Sequence, residues 1–329
     1  MSDQRTDDRG RVAEAPSDIS AQGWKDIAVR VKTKVQDDHT VLAASGVAFW
    51  AFLALIPALA AFVSILGLVT SPDEAAQRAE DLFGALPSAA QDLLTDQLET
   101  IAGTTGSSLT TGLVVSVALA LWAASAGVGH LVDAVNVAYD EHDDRNFFVK
   151  KGLALALTLG AIVFLAFAVG GLGALPAILE GLGLPGWLRT LLQVAYWPVL
   201  ALGFVVGLGV LYRVGPDRSS PQWRWVSWGA VAAVVLWIVA SVVFRIYTAN
   251  FASYNETYGS LAAVVVLMLW LFITAFSVLL GAQVNAETEH QTMADSTVEP
   301  DRPIGERDAV VADTVGESAD SPGDDTATA

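Results

Sequence analysis

Three polar side chains in the stretch GHLVDAVNVAYDEHDDR have the types and the spacing of a proton- or cation-binding site. His130, Asp133 and Asn136 recur at intervals of three residues, which predicts that they share one face of a helix, about one per turn. An imidazole titrates near neutrality, and a neighbouring carboxylate stabilises its protonated form. The alternative interpretation is that the helix has already left the hydrocarbon here, so that the three side chains make capping and headgroup contacts.

A second set of candidates surrounds a later turn, in VVFRIYTANFASYNETYGS. A guanidinium at the end of an apolar run must extend to water, bind a lipid phosphate or pair with an acid. We expect Arg245 to pair with Glu256, and a site for an anionic lipid or substrate headgroup is the alternative. Asn250, Tyr258 and Gly259 are the other candidates of this turn, where a tyrosine suits the headgroup level and a glycine permits a sharp turn.

Two prolines lie inside apolar runs, Pro57 in FLALIPALAAF and Pro198 in YWPVLALGF. Secondary transporters build their binding sites where discontinuous helices occupy matching positions in two inverted halves. Pro57 is therefore a candidate hinge that breaks the first span. An ordinary proline kink is the alternative.

The elements that must position these residues are long apolar runs. The chain has 329 residues, of which 53% are apolar, and a formal net charge of −17, so its apolar and acidic residues are segregated along the sequence. About 20 apolar residues span the roughly 30 Å of a bilayer core. A soluble bundle would need a polar face on each helix. The sequence therefore predicts an all-α, polytopic membrane bundle of six transmembrane helices, at about 42–69, 111–132, 152–175, 194–212, 226–247 and 261–284.

The distribution of lysine and arginine predicts the orientation of these spans. Basic residues concentrate before span one, between spans two and three, and after span four. Since basic loops remain in the cytoplasm, we expect a multi-pass protein of the cell (inner or plasma) membrane with both termini cytoplasmic. The residues that carry this prediction are Lys25, Arg30, Lys32, Lys34, Arg145, Lys150, Lys151, Arg218 and Arg224.

The segments outside the spans divide into tails and a long outer loop. We expect residues 1–24 and the acidic tail 288–329 to be disordered, on either side of a membrane domain at 25–287, because such polar segments bury too little apolar surface to fold. Two segments that begin with proline, PDEAAQRAEDLFGAL and PSAAQDLLTDQLETIAG, predict short extracytoplasmic amphipathic helices between spans one and two.

The motifs of the common enzyme classes are missing from the sequence. It has four histidines and no cysteine, and it contains no HExxH metal motif, no GxSxG elbow and no phosphate-binding loop with lysine. Its soluble parts are acidic, unlike a surface that binds nucleic acid. We therefore expect no enzyme activity, no catalytic residue, no metal, no cofactor and no nucleic-acid partner.

Four stretches of the chain resemble a known family in their order and spacing. They are LAASGVAFWAFLALIPALAAFVSILG, NVAYDEHDDRNFFVKKGLALALT, LYRVGPDRSSPQWRWVSWGAVAAVVLWIVAS and YNETYGSLAAVVVLMLWLFITAFSVLLGAQVNAE. Over about residues 40–287 the chain is similar to the YihY/BrkB family of six-span bacterial membrane proteins. The resemblance implies an integral inner-membrane or plasma-membrane protein, some of whose relatives are linked to serum resistance or called transporters. The family has also carried the label ribonuclease BN, which no motif here supports, and the resemblance supplies no catalytic residue.

Two functional hypotheses follow. The first is a transporter or a protein that handles membrane lipid or a small amphipathic substrate, with a polar cavity at mid-membrane lined by Ser45, Asn250 or Tyr258. The second is a non-catalytic protein of the serum-resistance type that organises the envelope through its outer helices and its acidic tail.

Overall fold

Helices form the long elements throughout the part of the chain that is described. The computed structural model describes residues 9–66, 109–249, 260–298 and 300–319. The prediction of an all-α fold is confirmed in these ranges. The helices are α1 (Ala21–Asp37), α2 (Thr40–Leu66), α3 (Leu109–Ala138), α4 (Phe147–Gly181), α5 (Gly186–Val214), α6 (Trp223–Ala249), α7 (Ser260–Glu289) and the short α8 (Val310–Asp313), with a 3-10 helix at Pro16–Asp18.

Each predicted apolar run coincides with one of the helices α2 to α7. The structure extends several of them: α3 continues past residue 132 to Ala138, and α4 begins before residue 152, at Phe147. The helices α3 to α7 are each long and apolar enough to cross a membrane. A sixth candidate span is formed if α1 and the described start of α2, which are bent by 63°, are counted as one. The two predicted amphipathic helices of the outer loop lie outside the described residues.

The break in the first span lies at a different place from the predicted one. We expected a break at Pro57, but α2 continues through that residue to Leu66. A proline removes one backbone hydrogen bond and kinks a helix, and neighbouring helices in a membrane protein tolerate such a kink. The break instead separates α1 from α2 at Asp38 and His39, and His39 adopts a left-handed backbone with φ of +49°.

Helix α7 packs against α6, α2, α1 and α3 and is the central element of the bundle. Its closest neighbour is α6, because a Cβ atom on Gly281 would lie only 2.6 Å from the carbonyl oxygen of Gly229. Small residues at such crossings let helix backbones approach within a membrane. Asn285 reinforces the contact, since its Oδ1 accepts from the Gly229 N–H at 2.6 Å and its Nδ2 donates to the Val226 carbonyl at 3.0 Å.

The chain segments at one end of the bundle form a folded polar layer, which we call the polar end. It comprises residues 9–37, which include α1, the connections 139–146 and 215–222, and residues 288–319 without residue 299. The structure contradicts the predicted disorder of the acidic tail over its described part. Arg307 is buried there, and its guanidinium donates to the carbonyls of Ala312 at 2.6 Å, Met293 at 2.8 Å and Arg302 at 3.0 Å.

The described part of the N-terminal tail is also ordered, contrary to the prediction. Arg9 donates to both carboxylate oxygens of Asp26 at 2.9 Å. Thr292 of the C-terminal segment donates to the Ala13 carbonyl at 2.7 Å. The prediction was wrong because hydrogen bonds hold both segments to each other and to helix ends, and because the few apolar residues in them, such as Ile19 and Val311, are buried against the bundle.

A fully buried ion pair joins α7 to the connection that follows α5. The Nη2 atom of Arg218 lies 2.6 Å from Oε2 of Glu289, and both side chains are 0% exposed. Ser296 of the C-terminal segment donates to the same carboxylate oxygen at 2.7 Å, and the guanidinium carbon of Arg218 lies 5.1 Å from the ring centroid of Tyr139. A buried pair of this kind depends on both partners, since either charge alone would lie in a low dielectric.

Removing one partner of this pair should destabilise the protein strongly. We expect Glu289→Gln or Arg218→Met to lower the free energy of unfolding by about 3–5 kcal/mol, because each leaves a buried uncompensated charge. Glu180→Gln breaks the exposed pair in which Arg189 lies 3.1 Å from Glu180, and we expect it to cost less than about 1 kcal/mol. Denaturant titration in detergent micelles measures both. Equal costs for the buried and exposed pairs would contradict the interpretation.

Candidate functional site

A cleft of about 220 Å³ lies between α3 and α4 near the polar end. We call it the α3–α4 cleft. Small apolar residues and Phe147 form part of its wall. Its polar and ionisable side chains are Ser125, His130, Asp133, Asp143, Lys150 and Lys151. The cleft therefore concentrates charge at the boundary of two candidate spans, where such residues are expensive to bury and usually functional.

Lys151 contacts the residue of the cleft wall that lies farthest along α3 from the polar end. Its ammonium donates to the hydroxyl of Ser125 at 2.6 Å, and this hydroxyl donates in turn to the Trp122 carbonyl at 3.0 Å. Ser125 precedes the end of α3 at Ala138 by roughly 20 Å of helix. In the described part of the chain, no carboxylate forms a salt bridge with Lys151. The positively charged ammonium of Lys151 therefore lies beside a candidate span, and its hydrogen-bond partner is the neutral hydroxyl of Ser125.

Lys150 and Asp143 form the mouth of the cleft. The guanidinium of Arg145 holds Asp143 through two hydrogen bonds of 2.8 and 2.6 Å. Those bonds, together with the backbone N–H of Arg145 and the charge of Lys150, lower the pKa of Asp143, although burial opposes the shift. The ammonium of Lys150 donates to the Asp143 carbonyl at 2.8 Å. The same ammonium lies 3.6 Å from Oδ1 of Asp143, so the cations of Arg145 and Lys150 share this one carboxylate.

His130 and Asp133 form the side of the cleft that opens away from the bundle. Nδ1 of His130 lies 3.8 Å from Oδ2 of Asp133, and the two side chains are 50% and 61% exposed. The imidazole stacks on Trp50 of α2, with ring centroids 5.3 Å apart. Phe147, which belongs to the wall of the cleft, is 72% exposed. The cleft is therefore open laterally, toward the surface that would face lipid.

The structure brings together only two of the three residues predicted to share a helix face. Asn136 is buried on another side of α3, where its Nδ2 donates to the Val132 carbonyl at 2.9 Å and its Oδ1 accepts from the Asp217 N–H at 2.8 Å. A step of three residues rotates a helix by about 300°, so two such steps move a side chain about 120° away from the first. Asn136 is thus a positioning residue for the connection after α5.

The candidates of the later turn do not join the cleft. Arg245 is an exposed residue of α6, whereas Asn250, Glu256, Tyr258 and Gly259 lie outside the described residues, so the pairing of Arg245 with Glu256 stays a prediction. The side chain of Pro57 likewise lies outside the part of the chain that the structure describes. Ser45, which the transporter hypothesis placed in a mid-membrane cavity, is exposed, and its hydroxyl donates to the Val41 carbonyl at 2.8 Å.

Four residues of the site were not predicted from the sequence: Ser125, Lys150, Lys151 and Trp50. The two lysines entered only the prediction of the orientation of the spans. Their position at the start of the apolar run of α4 could have marked them, because a charged side chain there must reach toward a polar group. In the described ranges, no group of three or more histidine, aspartate or glutamate side chains is arranged to hold a metal ion.

Comparison with known proteins identifies the family of this chain. The family model described as Virulence factor BrkB matches residues 31–304. The chain belongs to the BrkB family. The match extends past α7 into the C-terminal part of the polar end, so this part of the BrkB chain falls within the family's own range. It also confirms the resemblance seen in the sequence.

Several relatives of this BrkB chain are membrane proteins by name. The membrane protein PSHAa0171 of Pseudoalteromonas translucida is 22% identical over 268 residues, which cover 79% of this chain and 85% of the relative. The membrane protein MS0032 of Mannheimia succiniciproducens is 24% identical over 257 residues, covering 77% and 86%. The ribonuclease-like protein YfkH of Bacillus subtilis is 29% identical over 214 residues, covering 63% and 77%. No solved structure matches the chain.

Because the Asp143 carboxylate is hydrogen-bonded, the stability of this region depends on pH. The pKa of Asp143 is lower in the folded protein than in the unfolded chain. The Asp143 carboxylate therefore contributes fully to the free energy of unfolding above the ordinary aspartate pKa of about 3.9, and this contribution is lost as the pH falls through the lower pKa of the folded state. We expect Asp143→Asn to destabilise the protein by a constant amount above about pH 5 and by less below about pH 4. Thermal unfolding between pH 3 and pH 7 measures this. Asp144→Asn, at a neighbouring side chain that is 87% exposed, is the control, and equal behaviour of the two variants would contradict the assignment.

Proposed function

We propose that this BrkB-family protein handles membrane lipids or small amphipathic solutes and binds their anionic head groups in the α3–α4 cleft. The observation that carries this proposal is the Lys151 ammonium, which lies along a candidate span and bonds to the neutral Ser125 hydroxyl at 2.6 Å. An ionisable group at such a place is costly unless it serves a ligand or a pathway. The proposed role requires no bond-making chemistry, so it is not that of an enzyme.

The charges around the cleft favour an anion. Arg145 and Lys150 share the Asp143 carboxylate, and His130 lies beside Asp133, whereas the Lys151 ammonium contacts a neutral hydroxyl oxygen. A phosphate or carboxylate placed between the two lysines would gain charge-assisted hydrogen bonds that neutral oxygens do not provide.

The apolar surroundings of the cleft suit the remainder of an amphiphile. Phe147 in the wall of the cleft and its neighbour Phe148 are 72% and 83% exposed, and their ring centroids lie 5.7 Å apart. Such a patch binds acyl chains or the apolar body of a solute through burial of apolar surface. A head group in the cleft would therefore leave its tail against these side chains.

Loss of the lysines should weaken binding of anionic lipid. A charge-assisted hydrogen bond contributes about 1.5–3 kcal/mol, so we expect Lys151→Ala to weaken binding of phosphatidylglycerol roughly 10- to 100-fold. The measurement is titration of detergent-solubilised protein with this lipid and with phosphatidylcholine, followed by fluorescent-lipid scrambling in liposomes. Lys32→Ala serves as the matched control, because Lys32 is an exposed lysine of α1.

The result separates the two functional classes. If Lys150→Ala, Lys151→Ala and the double variant bind anionic lipid and scramble lipid as well as the wild type does, the cleft is not the site. The envelope-organising role then becomes the better account. Arg245→Ala belongs in the same series, since a loss of scrambling there alone would place the head-group site at the later turn instead.

We also propose that the protein crosses the membrane several times with the polar end in the cytoplasm. The basic segments of the chain meet at that end, which follows the positive-inside rule. The sequence has no cysteine, so single cysteines report topology cleanly. We expect Leu182→Cys, in the turn between α4 and α5, to react with a membrane-impermeant maleimide in intact spheroplasts, and Gln22→Cys in α1 to react only after permeabilisation. The reverse pattern would overturn this orientation.

A further inference from the structure

A cluster of tryptophan and arginine side chains lies where α5 and α6 meet the polar end. It consists of Trp24 of α1, Arg213 in the last turn of α5, and Trp223, Arg224 and Trp228 of α6, and we call it the tryptophan–arginine patch. The guanidinium carbon of Arg213 lies 5.0 Å from the centroid of the Trp223 ring, and the ring centroids of Trp24 and Trp228 lie 5.6 Å apart. The α3–α4 cleft is built from other helices.

Two tryptophans of the patch are half exposed although neighbouring groups hold their rings. Trp223 is 48% exposed and Trp228 is 47% exposed. A Cβ atom on Gly209 would lie 3.1 Å from the Trp223 ring, so this ring rests on the backbone of α5. Trp24 packs against the buried cluster that contains Trp225 and contacts the Trp228 ring from α1. Indole rings that are both packed and partly exposed are typical of the level of lipid head groups.

The two arginines of the patch differ from most other arginines of the described chain. Arg224 is exposed and Arg213 is partly exposed, and within the described ranges neither guanidinium forms a salt bridge or a hydrogen bond. The patch therefore carries two positive charges that no described carboxylate compensates. By contrast, six other arginines each form a salt bridge with a carboxylate, namely Arg9, Arg30, Arg145, Arg189, Arg218 and Arg307.

An apolar stripe continues from Arg224 along the exposed face of α6. Trp228, Val231 and Val235 follow Arg224 at i+4, i+7 and i+11, which places all four residues on one helix face, and each of them is exposed. Arg224 lies in the first turn of α6, which is a candidate span. This face therefore presents positive charge at the boundary of the span and apolar surface along the span itself.

We propose that the tryptophan–arginine patch binds one anionic phospholipid. Arg213 and Arg224 hold its phosphate beside Trp223, and an acyl chain lies along the stripe of α6. Guanidinium groups bind phosphate through charge-assisted hydrogen bonds in a fork geometry. The stripe favours a lipid over a soluble phosphate, because burial of apolar surface adds to these bonds. Through Trp24 and Trp228, the bound lipid joins the start of α1 to α6.

The test places a fluorescent label beside the patch. The chain has no cysteine, and Ser227 is an exposed residue of α6 within one turn of Arg224, so Ser227→Cys accepts a single maleimide dye. The labelled protein is reconstituted in phosphatidylcholine bilayers that contain brominated phosphatidylglycerol or brominated phosphatidylcholine. Quenching of the dye gives the relative binding constant of the two lipids. Sodium chloride at about 0.5 M screens the long-range attraction between the protein and anionic lipid.

We expect the labelled protein to prefer phosphatidylglycerol about tenfold. One arginine near a lipid surface accounts for about fivefold, so Arg224→Gln should lower the preference to about twofold. Arg224→Lys should lower it less, because the charge remains. Arg245→Gln is the matched control, since it removes the same charge from an exposed arginine near the other end of α6, and it should leave the preference unchanged.

Other outcomes overturn the proposal. Equal quenching by the two lipids in the labelled protein would show that the patch is only an aromatic anchor. A preference that survives in the double variant with Arg213→Gln and Arg224→Gln would show that these arginines do not bind the phosphate. Loss of the preference on addition of glycerol phosphate at constant ionic strength would indicate a site for a soluble phosphate. Lys151→Ala should keep the preference at this label, so failure of the proposed function and failure of this site are distinguishable.

Discussion

The close contact between α6 and α7 determines where the other polar groups of the structure meet. Because Gly229 and Gly281 have no Cβ atom, the two backbones approach to a distance that a larger residue would prevent. This contact sets the rotation of the last turns of α7 relative to its neighbours. Polar side chains two residues apart then reach different elements: Gln283 reaches Thr40, Asn285 reaches Val226, Glu287 reaches Arg30 and Glu289 reaches Arg218.

The polar end shows how a chain with so much apolar surface satisfies its charges. Arg218 pairs with Glu289, and Arg307 donates to four backbone carbonyls, so each of these buried guanidinium groups has oxygen partners nearby. Removing charged groups from water is expensive unless they are paired and hydrogen-bonded. The folded terminal segments supply those partners, so they are part of the architecture that closes this end of the bundle.

The α3–α4 cleft differs from these ion pairs in its net charge. In the α3–α4 cleft, the ammonium of Lys151 contacts only a neutral hydroxyl, which leaves positive charge without an anion. This imbalance indicates the charge of the proposed head group, and the Arg218–Glu289 pair provides the contrast within the same molecule.

The sequence by itself determined the all-α membrane fold, the positions of the long helices and the family, since these depend on the length of apolar runs and on local motifs. It also indicated His130 and Asp133 correctly as neighbours, because residues three apart on one helix are always close. Only the tertiary structure decided that Asn136 faces the connection after α5, that Lys151 reaches Ser125, and that the described parts of both tails are ordered. Those outcomes depend on the rotation of each helix against its neighbours and on partners distant in sequence. Local sequence patterns contain no information on the rotation of a helix or on partners distant in the sequence.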